Sequence, residues 1–203
     1  MTEFSNDSAE QKEIWTKYFA ATDNQPVHPM FHFLDPLMPH SGRAIDLGCG
    51  AGRGSVWLLE HGLQTIAVDI SQEALDHLEA KLPPDADIQL IRSSFQDLDL
   101  AALGPFDVIV AAFTLFFLPP DDYPKFWRSL VQTLKPAGLF AGQFLGVNDS
   151  WSDQGLTIHD RAAVEELLQP FEVLLLEEEE KDGPTALGDI KHWHAFHVIA
   201  RKN

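Results

Sequence analysis

A glycine-rich stretch between residues 44 and 55 contains the residue types that point most directly to ligand binding. It reads AIDLGCGAGRGS, and glycine recurs at positions 48, 50, 52 and 54 after an apolar run. Glycine lets a loop adopt positive φ and lets a ligand approach the backbone closely. An acid, Asp69, ends the next apolar run, 21 residues after Gly48. In doubly wound sheets, an acid at that place accepts hydrogen bonds from the ribose of an adenosine.

The spacing of the glycines separates this loop from two common phosphate-binding loops. A dinucleotide fingerprint needs Gly-x-Gly-x-x-Gly, but Arg53 and Ser55 stand where the third glycine would fall, which argues against a nicotinamide oxidoreductase. A P-loop needs a lysine after its last glycine, and none follows here. The pattern favours a ligand that has a ribose and needs no pyrophosphate. S-adenosylmethionine (SAM) fits that description.

The elements that position this loop alternate between apolar runs and helical stretches, which is typical of an α/β domain with a mainly parallel sheet. We predict strands at 43–47, 65–69, 88–93, 106–113 and 139–145, and helices at 8–21, 29–37, 53–61, 72–82, 122–134 and 160–169. LKPAG, before the fifth strand, is predicted to be a turn. Two final runs, 171–178 and 193–201, have no helix between them and must pair antiparallel, with turn signals at Asp182-Gly183-Pro184.

These elements predict a Rossmann-like, doubly wound sheet of seven strands, mostly parallel with the last strand antiparallel, and helices on both faces. We expect a single domain over residues 1–203, with an N-terminal helical lid segment at 1–40 and a Rossmann-like core at 41–203. The three histidines at 192, 194 and 197 do not predict a metal site, because on a strand 192 and 194 share a face while 197 points to the other.

Composition disfavours several classes of partner. The sequence has 31 acidic and 14 basic residues, for a net charge of −17, and such a field repels nucleic acids and anionic membranes. A single cysteine, Cys49, excludes an intrachain disulfide and fits a reducing compartment. The polar N-terminus does not look like a signal peptide, and no apolar run approaches a membrane span. We therefore expect a cytoplasmic protein, monomeric or homodimeric, that acts on a small molecule.

The motifs resemble those of class I SAM-dependent methyltransferases. AIDLGCGAGRGSVWLLEHGLQTIAVDISQEAL is similar to the first motifs of the family, and within it to the tellurite-resistance (TehB-like) group of small-molecule enzymes. The similarity extends to FDVIVAAF, LKPAG and KHWHAFHVIARK, and covers roughly residues 25–203. It implies methyl transfer from SAM to a small-molecule acceptor by direct displacement, with S-adenosylhomocysteine (SAH) as the product. A SAM-binding protein without transferase activity, a sensor or a subunit of a complex, is the alternative.

The resemblance also implies a cofactor site. In it, the glycine loop surrounds the methionine moiety, Asp69 binds the ribose, and Ile70 lies against the adenine. The family usually has an acid after the third strand for the adenine amino group, whereas Ser94 stands there in this sequence, so that Ser94 itself or Asp97 would make this contact. The implied cofactor-binding residues are Asp46, Gly48, Cys49, Gly50, Gly52, Arg53, Asp69, Ile70, Ser94, Phe95 and Ala111.

The acceptor pocket is expected at the carboxyl ends of the strands, under the N-terminal segment. Related enzymes often have histidine where Phe116 and Phe117 stand, which indicates an apolar pocket. Because the donor methyl group is already activated, the need for a base depends on the acceptor, and we predict no catalytic side chain. The predicted pocket residues, for each of which core packing or solvent exposure is the alternative, are Trp15, Tyr18, Phe31, His32, Phe116 and Trp151.

Overall fold

One mixed sheet runs through the protein in the computed structural model, which describes residues 9–23 and 25–203, with side chains from residue 13 onwards. Its strands are β1 (Gly42–Leu47), β2 (Leu63–Asp69), β3 (Ile88–Arg92), β4 (Phe106–Ala111), β5 (Leu134–Gly146), β6 (Ile158–His159), β7 (Phe171–Pro184) and β8 (Ile190–Lys202). Their spatial order is β3-β2-β1-β4-β5-β8-β7, and the two-residue β6 pairs with β5.

The first five strands are parallel to one another, and β8 runs antiparallel to both β5 and β7. The predicted doubly wound sheet with an antiparallel last strand is therefore confirmed. The short β6 is an addition that the sequence pattern did not predict.

The helices lie where their capping residues and apolar spacing place them. They are α1 (Ala9–Thr22), α2 (Met30–Leu34), α3 (Arg53–Glu60), α4 (Gln72–Glu79), α5 (Leu100–Leu103), α6 (Tyr123–Thr133) and α7 (Arg161–Leu167), with 3-10 turns at Asp35–Leu37 and Leu115–Phe117. As predicted, the Ser71 hydroxyl caps α4 by accepting from the Ala74 N–H. The helix ends at Glu79, three residues before the predicted end.

Side chains alternate between the two faces of the sheet, and each face is covered by helices. On one face, Phe140 and Phe144 of β5 pack against Trp127 of α6, and Phe196 of β8 belongs to the same cluster of buried apolar side chains. On the other face, α2 and α3 cover the central strands with a second cluster of buried apolar side chains. Burial on both faces explains why the central strands read as continuous apolar runs.

Two predicted turns are parts of strands. LKPAG belongs to β5, because Leu134 pairs with Phe106; the register then shifts, and Ala137 adopts a φ of 61°. Asp182-Gly183-Pro184 continues β7 opposite β8, and the chain reverses at 185–189 instead. A proline at the end of β7 is tolerated because β7 is an edge strand and needs no further N–H donor there.

Helix α1 lies across the carboxyl ends of the first strands. Phe19 packs against Ala51 of the glycine loop and Ala74 of α4. The Thr16 hydroxyl donates to Glu73 Oε2 at 2.7 Å, and Asp23 forms an ion pair with Lys81. These contacts hold α1 over the edge of the sheet where ligands bind in doubly wound folds. Within the described residues, no helix combines the length and apolar character needed to cross a membrane.

Candidate active site

A cavity of about 530 Å³ opens at the carboxyl ends of β1 to β4, beneath α1. Four segments line it: α1, the glycine loop, the ends of β2 and β3 with the residues after them, and the segment after β4. Its volume lies within the range of about 300–1,000 Å³ that is typical of small-molecule sites. Within the described residues, no group of three or more His, Cys, Asp or Glu side chains could hold a metal ion.

The glycine loop forms the floor of the cavity, and two of its glycines are required for different reasons. Gly48 and Gly50 have φ values of 64° and 53°, which few residues with a side chain adopt. A Cβ on Gly48 would overlap the Thr114 hydroxyl, so this glycine allows the loop to pack on the segment after β4. A Cβ on Gly50 would meet only the Phe19 ring, at 3.8 Å. The missing side chain of Gly50 therefore leaves open space in the cavity.

Asp69 joins the glycine loop to the start of α4. Its Oδ2 accepts the Gly50 N–H at 2.9 Å, and its Oδ1 accepts the Ser71 N–H at 2.9 Å. Burial raises the pKa of this carboxyl, and the backbone N–H donors of Ser71, Gly50 and Ile70 partly oppose that rise. An ionised carboxylate can accept about four hydrogen bonds. Asp69, which lines the cavity, therefore keeps room to accept about one further hydrogen bond from a ligand hydroxyl while it holds the loop in place.

Beyond Asp69, the cavity has the groups expected for an adenine site. Ile70 is 40% exposed and lines the cavity together with Phe95. Ser94 and Asp97 also line it, and their side chains are paired: Ser94 Oγ donates to Asp97 Oδ2 at 2.7 Å and accepts the Asp97 N–H at 3.2 Å. The family resemblance leads one to expect an acid at the position of Ser94. The Asp97 carboxylate is held beside that position by its hydrogen bonds with Ser94.

Asp46 is buried outside the cavity lining. Its Oδ2 accepts the Ser55 hydroxyl at 2.7 Å, and the Ser55 backbone donates to it as well. Helix α3 begins after Gly52, which has no side chain to cap it, so Asp46 supplies the missing acceptor from β1. Burial raises the pKa of Asp46 to about 7. The hydrogen bonds from Ser55 lower this pKa, and the nearby negative charge of Asp69 raises it further.

This raised pKa predicts a pH-dependent stability. In the unfolded chain an Asp titrates near about 4, so between about pH 4 and 7 the folded state holds the extra proton. The contribution of Asp46 to stability should therefore fall as pH rises toward 7 and then level off, by a total on the order of a few kcal/mol. The lowered pKa values of His28 and His159, each about 4 because of burial, act in the opposite direction over this range, so the Asp46 part is read as the difference from a variant. Urea unfolding at pH 5, 6, 7 and 8 measures it, and Asp46→Asn should remove this part of the slope. Parallel pH profiles for the two proteins would show that Asp46 is not the titrating group.

The structure brings together part of the predicted site. Of the predicted cofactor residues, those that line the cavity are Gly48, Gly50, Asp69, Ile70, Ser94 and Phe95. Of the predicted acceptor residues, Trp15 and Tyr18 of α1 line it. These positions remain predictions of binding, now placed around one space.

Other predicted residues lie elsewhere for identifiable reasons. Five predicted cofactor residues do not line the cavity. Asp46 bonds Ser55 of α3, Cys49 packs against α4, and a side chain on Gly52 would clash with Leu78. The Arg53 guanidinium donates to the Pro26 carbonyl, and Ala111 is fully buried. In the acceptor set, those outside the lining are Phe31 in the core against Trp57, the exposed His32, the buried Phe116, and Trp151 against Lys191.

The segment after β4 contributes one lining residue that sequence reasoning missed, Phe113, which was predicted to end the strand. Phe113 and Thr114 line the cavity beside Phe117. Phe113 has a φ of 52°, and its N–H donates to the side-chain oxygen of the buried Gln143 at 2.9 Å. Positive φ at a bulky residue is uncommon and often marks a functional site. The sequence holds no signal for it, because the partner that stabilises it lies 30 residues away.

Comparison with known proteins finds similarity in both sequence and fold. Residues 44–138, which include the glycine loop, Asp69 and Asp97, match the sequence model of a family described as a methyltransferase domain. The fold is similar to that of TehB from Haemophilus influenzae, with a TM-score of 0.73 and 18% identity over 92% of this chain and 67% of that one. Residues 44–138, just under half of the chain, thus carry the likeness to a methyltransferase domain. The family resemblance carried by the sequence motifs is thus confirmed.

Curated relatives match about half of the chain. It is 38% identical over 103 residues to the cypemycin N-terminal methyltransferase of a Streptomyces species, which is 49% of this chain and 41% of that protein. The chain therefore spans less than half the length of that relative. The magnesium protoporphyrin IX methyltransferase of Synechocystis, solved with bound SAM, has a TM-score of 0.63 and 14% identity over 98% of this chain and 86% of that one. SAM is the cofactor of this family.

Proposed function

We propose that this methyltransferase transfers the methyl group of SAM to a small-molecule acceptor by direct displacement. The observation that carries the proposal is Asp69, a carboxylate on the cavity wall that also holds the Gly50 and Ser71 backbones in place. This arrangement presents an acceptor for ribose hydroxyls beside a loop from which side chains are absent. The ligand it suits has a ribose and a slender chain attached to it.

The residues of the cavity fit SAM along its length. Asp69 faces the ribose, Ile70 and Phe95 contact the adenine, and the Asp97 carboxylate accepts from the adenine amino group. The open space at Gly50 admits the methionine chain. Bound SAM supplies a methyl group on a sulfonium sulfur, so that a lone pair of the acceptor forms the new bond to carbon while the carbon–sulfur pair stays on sulfur.

The chain's own contribution is alignment and the exclusion of water. In the proposed arrangement, α1 is the lid over the cavity, and the core from β1 onwards holds the cofactor. The contacts of α1 with the glycine loop and α4 support this division.

Calorimetric titration with SAH, with NADH as the control, tests the cofactor. We expect micromolar binding of SAH and no heat from NADH, because Arg53 interrupts the dinucleotide spacing. Turnover is then read as SAH released from SAM in the presence of a panel of acceptors. Binding of NADH without binding of SAH would contradict the proposal.

A further inference from the structure

Arg53 is the first residue of α3, directly after the glycine loop, and its side chain reaches the N-terminal part of the chain at two points. Its Nη1 donates to the Pro26 carbonyl at 2.8 Å. The guanidinium also hydrogen-bonds the side chain of Tyr18 in α1. Since Pro26 lies in the segment that joins α1 to α2, one side chain links both α1 and the segment after it to the start of α3.

Tyr18 is the residue through which Arg53 can affect a bound ligand. Tyr18 lines the cavity together with Asp69, whereas Arg53 lies outside the lining. Burial raises the pKa of the Tyr18 phenol, the Arg53 guanidinium lowers it, and the charge of Asp69 raises it further. Both charged groups therefore lie near the Tyr18 hydroxyl, with Asp69 on the cavity wall and Arg53 outside it.

A guanidinium is well suited to hold two acceptors at once, because its N–H groups point in fixed directions from a planar group. Two other polar links join α1 and its last turn to the region of α4, between Thr16 and Glu73 and between Asp23 and Lys81. Arg53 adds a link to α3. The helix over the cavity is thus tied to the core through both α3 and α4.

We propose that Arg53 is a positioning residue that keeps α1 closed over the cofactor cavity through Tyr18 and the Pro26 carbonyl, without contacting the cofactor itself. The inference rests on the proposed function, because it concerns how the proposed cofactor is retained. With α1 as the lid, a bound cofactor leaves when α1 moves away. Loss of a link to α1 should therefore speed its release.

A direct ion pair between Arg53 and the carboxylate of the cofactor is the competing role, and two ligands separate the two roles. SAH carries the amino-acid group, whereas methylthioadenosine has the adenosine and the thioether without it. If Arg53 acts through α1, its loss should weaken both ligands by the same factor. If Arg53 binds the carboxylate, its loss should weaken SAH alone.

Arg53→Met is the test variant, measured by calorimetric titration and stopped-flow dissociation. The affinity for both ligands should fall roughly three- to tenfold, through faster dissociation, because hydrogen bonds from a charged group to α1 and to Pro26 are lost. Amide hydrogen exchange in α1 of the SAH complex should become faster, while exchange in α6 should not change. A residue that only stabilised the whole fold would change exchange in α6 as well.

Tyr18→Phe tests the route of the effect, because it removes the oxygen that accepts from Arg53 and keeps the ring. In this background, Arg53→Met should reduce SAH affinity by a smaller factor than in the wild type, since one of its two contacts is already absent. Equal factors in the two backgrounds would overturn the inference.

Arg43→Met is the matched control. Arg43 lies in β1 at the opposite edge of the sheet, where its Nε donates to Gln64 at 3.2 Å and its guanidinium lies over the Phe106 ring. Its replacement should leave both affinities and the exchange of α1 unchanged, and thermal unfolding should show that all variants are folded.

Two results with Arg53→Met overturn the inference and leave the proposed function standing: unchanged affinity for both ligands, or weaker binding of SAH with methylthioadenosine unaffected. A loss of affinity without faster exchange in α1 overturns it as well. A folded wild-type protein that binds neither ligand overturns the proposed function, and this inference with it.

Discussion

Asp69→Ala should weaken the binding of SAM and SAH by about 1.5–3 kcal/mol, or roughly 10- to 150-fold. The substitution removes the charged acceptor that we propose for the ribose, and it frees the Gly50 and Ser71 N–H groups that the carboxylate now holds at 2.9 Å. Calorimetric titration measures the change. The loss should be shared by adenosine, which has the ribose and lacks the methionine, and it should be small for methionine alone.

Asp87→Ala is the control for Asp69→Ala. Asp87 is also an acid next to a strand, but it precedes β3, at the opposite edge of the sheet, where its carboxylate accepts from Gln64 at 3.1 Å. Its replacement should leave the affinity for SAH unchanged. Unchanged affinity in a folded Asp69→Ala protein would refute the ribose role of Asp69.

Asp149→Ala should lower the free energy of unfolding by about 3–5 kcal/mol, since it leaves a buried charge without its partner. The side chains of Asp149 and Lys191 are 0% and 5% exposed, and Lys191 Nζ lies 2.5 Å from Asp149 Oδ1. Asp149 also accepts the N–H groups of Trp151 and His194, at 2.9 and 3.0 Å. One carboxylate therefore joins the segment after β5 to β8, and urea unfolding measures its contribution.

Two further variants interpret that measurement. Glu172→Ala breaks the exposed pair between Glu172 and Arg201, and it should cost at most about 1 kcal/mol. Asp149→Leu combined with Lys191→Met should be more stable than Asp149→Ala, because an apolar pair leaves no buried charge. A loss below about 1 kcal/mol in Asp149→Ala would show that water reaches Lys191 and that the pair is not a structural link.

The two indole rings beside Lys191 explain why Trp151 lies away from the cavity. Lys191 Nζ lies 3.6 Å from the ring centroid of Trp151 and 3.9 Å from that of Trp193. A cation between two aromatic faces is favourable, particularly where water is excluded. The polar loop around Trp151 led us to expect a residue that faces the acceptor, and this long-range contact with β8 places it elsewhere.

The sequence by itself determined the order of the main strands and helices, the parallel sheet with its antiparallel last strand, and the glycines of the loop after β1. These follow from local properties: the strands are apolar because both of their faces are buried, Ser71 caps α4, and glycine can adopt positive φ wherever it stands. Gly48, Gly50 and Asp69 could be found for the same reason, because strand ends of a parallel sheet meet at one edge.

Only the tertiary structure decided where side chains point once distant segments meet. Asp46 follows β1 as the motif requires, yet its carboxylate turns to Ser55 because α3 begins at a glycine that cannot cap it. Phe113 adopts positive φ because Gln143 of β5 accepts its N–H. Of the six acceptor residues predicted from the sequence, only Trp15 and Tyr18 line the cavity, because α1 packs over the glycine loop. Each depends on a partner far along the chain, and no local pattern carries that information.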